Sequence, residues 1–246
     1  PRCHHAAFDP ATGASVLLLE DLSACRTQDF VRGCGVADAV LTARALARCH
    51  AHPGPGHADA PACDIDLGAL WPDYPARLAH LLPDITLPPR LLTLGDWLAR
   101  DGGAFFAALA RAEGATRLHG DAQIDNVLFC PGRGAVLIDW HFCATGPGGL
   151  DLGHFLISSL APTVRRAEQA RIVAAYRAAL KAEAPRLEVD IRLAATLKLA
   201  MSVMATLRLD NDAPTRRAWR RADLMRLIAF CEDHRITPDD LAAAAG

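Results

Sequence analysis

Apolar and polar positions change their period several times along this chain, and the changes mark out its elements. Residues 15–20, Ser-Val-Leu-Leu-Leu-Glu, are an apolar run of strand length, which predicts a buried strand broken by Asp21-Leu22-Ser23. From Val36 to Ala51, apolar residues fall at Val36, Val40, Leu41, Leu46 and Ala47, a helical period. His52 to Ala62 is rich in Pro and Gly and reads as a loop. Residues 64–93 are broken by Pro72, Pro75, Pro83, Pro88 and Pro89 into short helices and turns. Gly95 to Glu113 predicts a helix interrupted or strained at Gly102-Gly103.

Further on, Val127–Cys130 and Ala135–Ile138 are short apolar runs around the turn residues Pro131-Gly132-Arg133-Gly134, the pattern of a β-hairpin. Thr145–Gly149 is a loop, and Leu150 to Leu156 starts a helix. Longer helical segments cover 163–184, 188–209 and 214–233, separated by Pro185 and by Asp210-Asn211-Asp212-Ala213-Pro214. Ile172, Ala175, Tyr176 and Ala179, then Leu197, Met201 and Met204, then Leu224, Leu227, Ile228 and Cys231 recur at helical spacing and predict core faces. Met201 and Met204 are read as packing, and Asp210 with Asp212 as a solvated, turn-forming pair.

The chemistry concentrates in Leu118–Phe142, LHGDAQIDNVLFCPGRGAVLIDWHF. Asp121 and Asn126 lie in the loop entering the hairpin, and Asp139 stands at its exit. A hairpin folds its two ends together, so a carboxylate, an amide and a second carboxylate converge. Few, hard oxygen donors suit Mg²⁺, which keeps several waters and shares phosphate oxygens. Phosphoryl transfer uses such parts: one carboxylate orients the attacking hydroxyl and takes its proton, while a carboxylate and an amide hold the metal. The protein-kinase pattern H-R-D-x-x-x-x-N followed by D-F-G has these residue types in this order. Here Gly120 replaces the Arg, and Asp139-Trp140-His141 replaces Asp-Phe-Gly.

On these residues the chain resembles the aminoglycoside phosphotransferase and choline-kinase-like superfamily, especially its ecdysteroid-kinase-like branch, whose signature is H-G-D-x-x-x-x-N, a hairpin, then I-D-W. The resemblance covers residues 15–233. It implies an α/β (α+β) protein-kinase-like fold, mainly the helical C-lobe at 23–246, with a truncated N-lobe at 1–22. It implies ATP and Mg²⁺, transfer of the γ-phosphoryl group to a small-molecule hydroxyl, Asp121 as the catalytic residue, and Asn126 and Asp139 as metal ligands. His119 would brace the catalytic loop. Asp151, in Asp-Leu-x-x-Phe-Leu, would brace it through backbone hydrogen bonds. Leu46-Ala47-Arg48-Cys49-His50-Ala51 matches the family's Leu-Ala-x-x-His-Ala, with a structural His. The backbone of Leu19, Glu20, Asp21 and Leu22 would be the hinge that binds adenine.

The same resemblance places a Gly-rich loop and a phosphate-clamping Lys before the hinge. The residues ahead of the strand hold neither, and Arg2 is their one basic side chain besides His. The chain starts at Pro1, so a fragment of a longer protein is the expectation, with a nucleotide-binding pseudokinase as one alternative. A metal-dependent hydrolase using Asp121, Asp139 and His119 or His141 is the other.

Composition narrows the picture. The 246 residues are 51% hydrophobic and 22% charged with a net charge of −2, a globular balance with no long basic run for nucleic acid. Arg216-Arg217 and Arg220-Arg221 read as a solvated helix face. Lys181 and Lys198 are the only lysines. No apolar run reaches the roughly 18 residues of a membrane helix. The eight Cys form no C-x-x-C pair; Cys49, Cys130 and Cys231 read as small buried hydrophobes in a reducing, cytoplasmic protein. Cys49, His50, His52, His57 and Cys63, and likewise Cys3 with His4-His5, match no zinc spacing and are taken as structural.

Overall fold

The N-terminal residues pair as an antiparallel hairpin of β1 (Cys3–Phe8) and β2 (Ser15–Leu19). The computed structural model describes residues 1–51, 63–209, 211 and 213–245. The strand expected at 15–20 is present, but it is not buried. Val16, Leu17, Leu18 and Leu19 are 44–65% exposed, because among the described residues β1 is the strand's only partner and no helix covers either face.

Helix α1 (Val36–His50) follows a linker and packs against α6 (Pro162–Leu180). The proline-broken region forms α2 (Leu67–Leu70), a 3₁₀ turn at Trp71–Asp73 and α3 (Tyr74–Leu81). Helix α4 runs from Pro89 to Ala110. It starts earlier than the apolar period predicts because Pro89 suits the first helical turn. It also passes unbroken through Gly102-Gly103: Gly102 packs beside Leu98 and Leu67, and a Cβ at Gly103 would meet nothing. Gly95 is needed for a closer contact, since a Cβ there would lie 2.1 Å from the Trp71 ring.

The hairpin is β4 (Val127–Cys130) with β5 (Gly134–Leu137), in the register Val127↔Leu137. β3 (Thr116–Leu118) pairs antiparallel with β6 (Ala144–Gly146), a strand where the sequence predicts loop. Such a short pair depends on its surroundings rather than on an apolar period of its own.

Helix α5 (Gly149–Ser159) is buried at every residue. Leu150, Leu152, Phe155, Leu156 and Ile157 are wholly covered, each contributing about 1.5–3 kcal/mol of burial. Its main partner is α7 (Leu187–Arg208). Gly153 permits the approach, since a Cβ there would come 2.5 Å from the Ala194 Cβ and from the Ile191 carbonyl oxygen. α8 (Pro214–Asp233) covers both, and α9 (Pro238–Ala245), which the sequence did not signal, packs on α4.

Some side chains depart from expectation. Cys130 is not a free apolar filler: it is disulfide-bonded to Cys25, with Cα atoms 4.4 Å apart. That bond removes the ground for inferring a reducing compartment from unpaired cysteines. Arg220 is buried rather than solvated; it donates from Nε to Asn211 Oδ1 at 2.9 Å and lies over the Trp219 ring. His52, His57, Asp210 and Asp212 lie outside the described residues. Among the described residues, no three His, Cys, Asp or Glu side chains converge as metal ligands, and no helix is long and apolar enough to cross a membrane.

Candidate active site

Strand β3 ends at Leu118 and delivers His119-Gly120-Asp121 onto the first turn of α5. Asp151 holds that delivery. Its Oδ2 accepts from the His119 N–H at 2.6 Å and its Oδ1 from the Gly120 N–H at 3.0 Å. Oδ2 also faces His50 Nε2 at 3.0 Å, and His50 Nδ1 meets the Tyr176 hydroxyl at 2.7 Å. Burial alone would raise the Asp151 carboxyl; the bonds from His50 and His119 outweigh it and hold it below its ordinary range. Gly120 has φ +80°, and a Cβ there would fall 1.9 Å from the Phe142 carbonyl oxygen. An Arg, as in the protein-kinase pattern, has no room at this point.

His119 is buried with both ring nitrogens engaged. Nε2 donates to the Ile138 carbonyl at 2.7 Å, and Nδ1 accepts from the Asp121 N–H at 3.3 Å. Its ring lies against Trp140, 4.6 Å between centroids. His119 therefore ties the loop entering the hairpin to the strand leaving it.

Asp121 and Asn126 are in direct contact, and Asp139 follows the hairpin strand that pairs back toward Asn126. Asn126 Nδ2 donates to both the carbonyl and Oδ2 of Asp121 at 2.9 Å. Gln123 Nε2 reaches the same Oδ2 at 3.3 Å. The Ile138 N–H donates to the Asn126 carbonyl at 3.0 Å, extending the ladder by one residue past β5, to the residue before Asp139. Asp139 takes φ +62°, a left-handed conformation that Asp tolerates, and its carboxylate is half-exposed and 2.6 Å from His141 Nδ1. With the Asn126 amide nitrogen spent on Asp121, its Oδ1 is the atom left over for a cation. Two oxygen donors fit Mg²⁺, which fills its other positions with water and phosphate. Burial pushes the Asp121 carboxyl above its ordinary range, while the charge of Lys198 and the Asn126 bond pull the other way.

Several residues around Asp121 carried no sequence signal. His154 of α5 sits with Nε2 3.6 Å from Asp121 Oδ1. Lys198 of α7, buried, pairs with the buried Asp223 of α8 at 2.6 Å. A lysine amid Leu197, Leu199 and Ala200 was the one available hint, because a lone charge on an apolar face needs a partner.

At the expected hinge, the Glu20 N–H donates to the Arg2 carbonyl, and the Leu22 carbonyl accepts from the Cys25 N–H. The Asp21 carboxylate caps Ser23. The segment is tied to the hairpin: Arg133 donates to Glu20 Oε1 at 2.8 Å, and Arg26 exchanges backbone hydrogen bonds with Phe129. A cavity of about 250 Å³ opens beside Gly120, walled by Asp64, Ile65, His141, Phe142 and Met201.

A carboxylate held by an amide, a second carboxylate at the exit of a hairpin, and a buried Asp bracing the loop from a helix are the parts a kinase-like phosphotransferase site would use. The sequence pattern of the Phosphotransferase enzyme family (APH) matches residues 34–189, and the chain belongs to that family. Solved structures agree on the fold. A choline/ethanolamine kinase family protein from Mesorhizobium loti is 22% identical, with a TM-score of 0.57 over 100% of this chain and 77% of that one. A protein assigned to the aminoglycoside phosphotransferases, from Ralstonia eutropha, is 16% identical, with a TM-score of 0.54 over 95% and 78%. The comparison with curated proteins finds no match.

Proposed function

We propose that the protein is an ATP-dependent small-molecule kinase that transfers the γ-phosphoryl group to a substrate hydroxyl. The observation that carries this is the joining of Asp121, Asn126 and the Asp139 strand by direct hydrogen bonds. Asp121 orients the acceptor hydroxyl and receives its proton as the oxygen attacks; its raised carboxyl suits that task. Asn126 and Asp139 would hold Mg²⁺, which when bound neutralises charge on the ATP phosphates. Asp151 and His119 fix the loop. The backbone of Leu19 to Leu22 is the adenine side, with residues 1–22 as the N-lobe part and 23–246 as the C-lobe. Within the family, His-Gly-Asp followed by Ile-Asp-Trp favours the ecdysteroid-kinase-like branch. The cavity beside Gly120 suits a small acceptor.

A metal-dependent hydrolase would need His119 or His141 as a ligand. Both ring nitrogens of His119 are committed to backbone groups, which leaves that reading only His141, exposed beside Asp139.

Calorimetry with Mg²⁺-ATP on the protein and on Asp139→Ala tests the assignment. Metal-dependent binding that the variant loses is expected, and Asp121→Ala should still bind nucleotide without transferring phosphate. Equal binding by wild type and Asp139→Ala would refute the site, and binding without turnover would make the protein a pseudokinase.

A further inference from the structure

His154 is wholly buried in α5, and neither of its ring nitrogens has a hydrogen-bond partner among the described residues. An imidazole in such a place is costly, and a leucine would avoid the cost. What sets it apart is where it points. Nε2 lies 3.6 Å from Asp121 Oδ1, a few tenths of an ångström beyond a hydrogen bond. The other oxygen, Oδ2, is already gripped by Asn126 and Gln123. The carboxylate is thus held from one side, and His154 faces the other.

We propose that His154 is a positioning residue for Asp121: its neutral imidazole presents Nε2–H to Oδ1 and fixes the carboxylate plane as the acceptor arrives. Catalytic hydrogen bonds that are long in the free enzyme often tighten in the substrate complex. The inference rests on Asp121 being the group that receives the hydroxyl proton.

The surroundings decide between a positioning group and a second proton carrier. A relay would move the proton from Asp121 to Nε2 and create an imidazolium. The charged and titratable groups about the ring are Asp121, Asp151, His119 and Lys198, the last with Asp223 as its ion-pair partner. Burial first, and then the Lys198 charge, drive the imidazole well below 6.5. An imidazolium is therefore unfavourable, and the proton stays on Asp121. Proton and bond bookkeeping is complete without the ring: the acceptor O–H breaks, a carboxyl O–H forms, and the acceptor oxygen bonds to Pγ as the Pγ–O bond to ADP breaks.

Nitrogen-15 NMR of the histidine rings in the full chain tests this without any turnover. His154 is expected to be neutral with its proton on Nε2, and that signal should move in Asp121→Asn. A proton on Nδ1, an imidazolium, or a signal unmoved by Asp121→Asn would overturn the inference. Slow Mg²⁺-ATP hydrolysis, with water as acceptor, gives the kinetic counterpart. His154→Leu should lower kcat about tenfold or more with KM for ATP within about twofold, the scale of a misplaced catalytic group. His154→Gln, which keeps an N–H, should recover most of it; equal loss in both variants would overturn the role. Absence of ATP turnover in the wild type would count against the kinase function, while the ring NMR still decides on His154.

Discussion

Replacing Asp151 by Asn probes the joint between the catalytic loop and the interior. The carboxylate accepts from His119 N–H, Gly120 N–H and His50 with no solvent to replace them. The amide keeps one acceptor oxygen and turns an NH₂ toward a group that itself donates. One charge-assisted bond is lost, about 1.5–3 kcal/mol, and an unsatisfied buried donor is added, about 1–3 kcal/mol more. The sum, about 2.5–6 kcal/mol, brackets the usual cost of breaking a buried charged contact from one side, about 3–5 kcal/mol. At about 2–4 °C per kcal/mol for a chain of this size, the Tm should fall by roughly 5–24 °C. Urea unfolding gives the free energy directly. The pH dependence supplies a second check: the folded carboxyl is depressed, so its contribution is whole above 3.8 and is lost as pH falls through its lower folded value. The variant should lack that slope. A variant within about 1 kcal/mol of wild type would show that the loop is not held from α5.

Gly120→Ala should lose phosphotransfer and destabilise by at least about 1–2 kcal/mol in urea unfolding, because the left-handed backbone alone costs that much before Phe142 is displaced. Lys198→Met leaves the buried Asp223 without its ion-pair partner and should cost about 3–5 kcal/mol, whereas Lys198→Met with Asp223→Leu should recover much of it; a double variant as unstable as the single one would refute the pairing. Burial raises the Asp190 carboxyl from 3.8 to about 6, so the penalty is absent below 3.8 and complete above about 6. Stability should therefore decline as pH rises through that window, and Asp190→Asn should flatten the decline when Tm is followed against pH.

The parts of the site closest to one another in sequence were legible from it. Asp121, Asn126 and Asp139 straddle one hairpin, and a strand–turn–strand pattern sets Asn126 opposite Ile138, the residue before Asp139, without knowledge of the rest of the fold. The long helices were legible from their period: α8 spans the residues expected, while α4 and α6 start earlier, at Pro89 and Pro162. What stayed hidden depends on packing between distant segments. His154 looks like any helix residue until α5 is seen to lie beneath Asp121. Lys198 and Asp223 belong to separate helices and become a pair only through the packing of α7 and α8. Cys130 reads as an apolar strand residue because its partner, Cys25, is 105 residues away. The exposure of Val16 to Leu19 was likewise invisible, since an apolar strand of that composition belongs under a layer that the described residues do not provide.

The ties between residues 20–26 and the hairpin have a consequence during synthesis. Glu20 reaches Arg133 across 113 residues, and Arg26 waits almost as long for Phe129. At about 5–20 residues per second on the ribosome, roughly 6–23 s separate the emergence of Glu20 from that of its partner. Through that interval β2, with four consecutive apolar residues, has only β1 beside it. Glu20 and Arg26 therefore wait without their partners until the catalytic hairpin has been made, and a holding chaperone would act in that window.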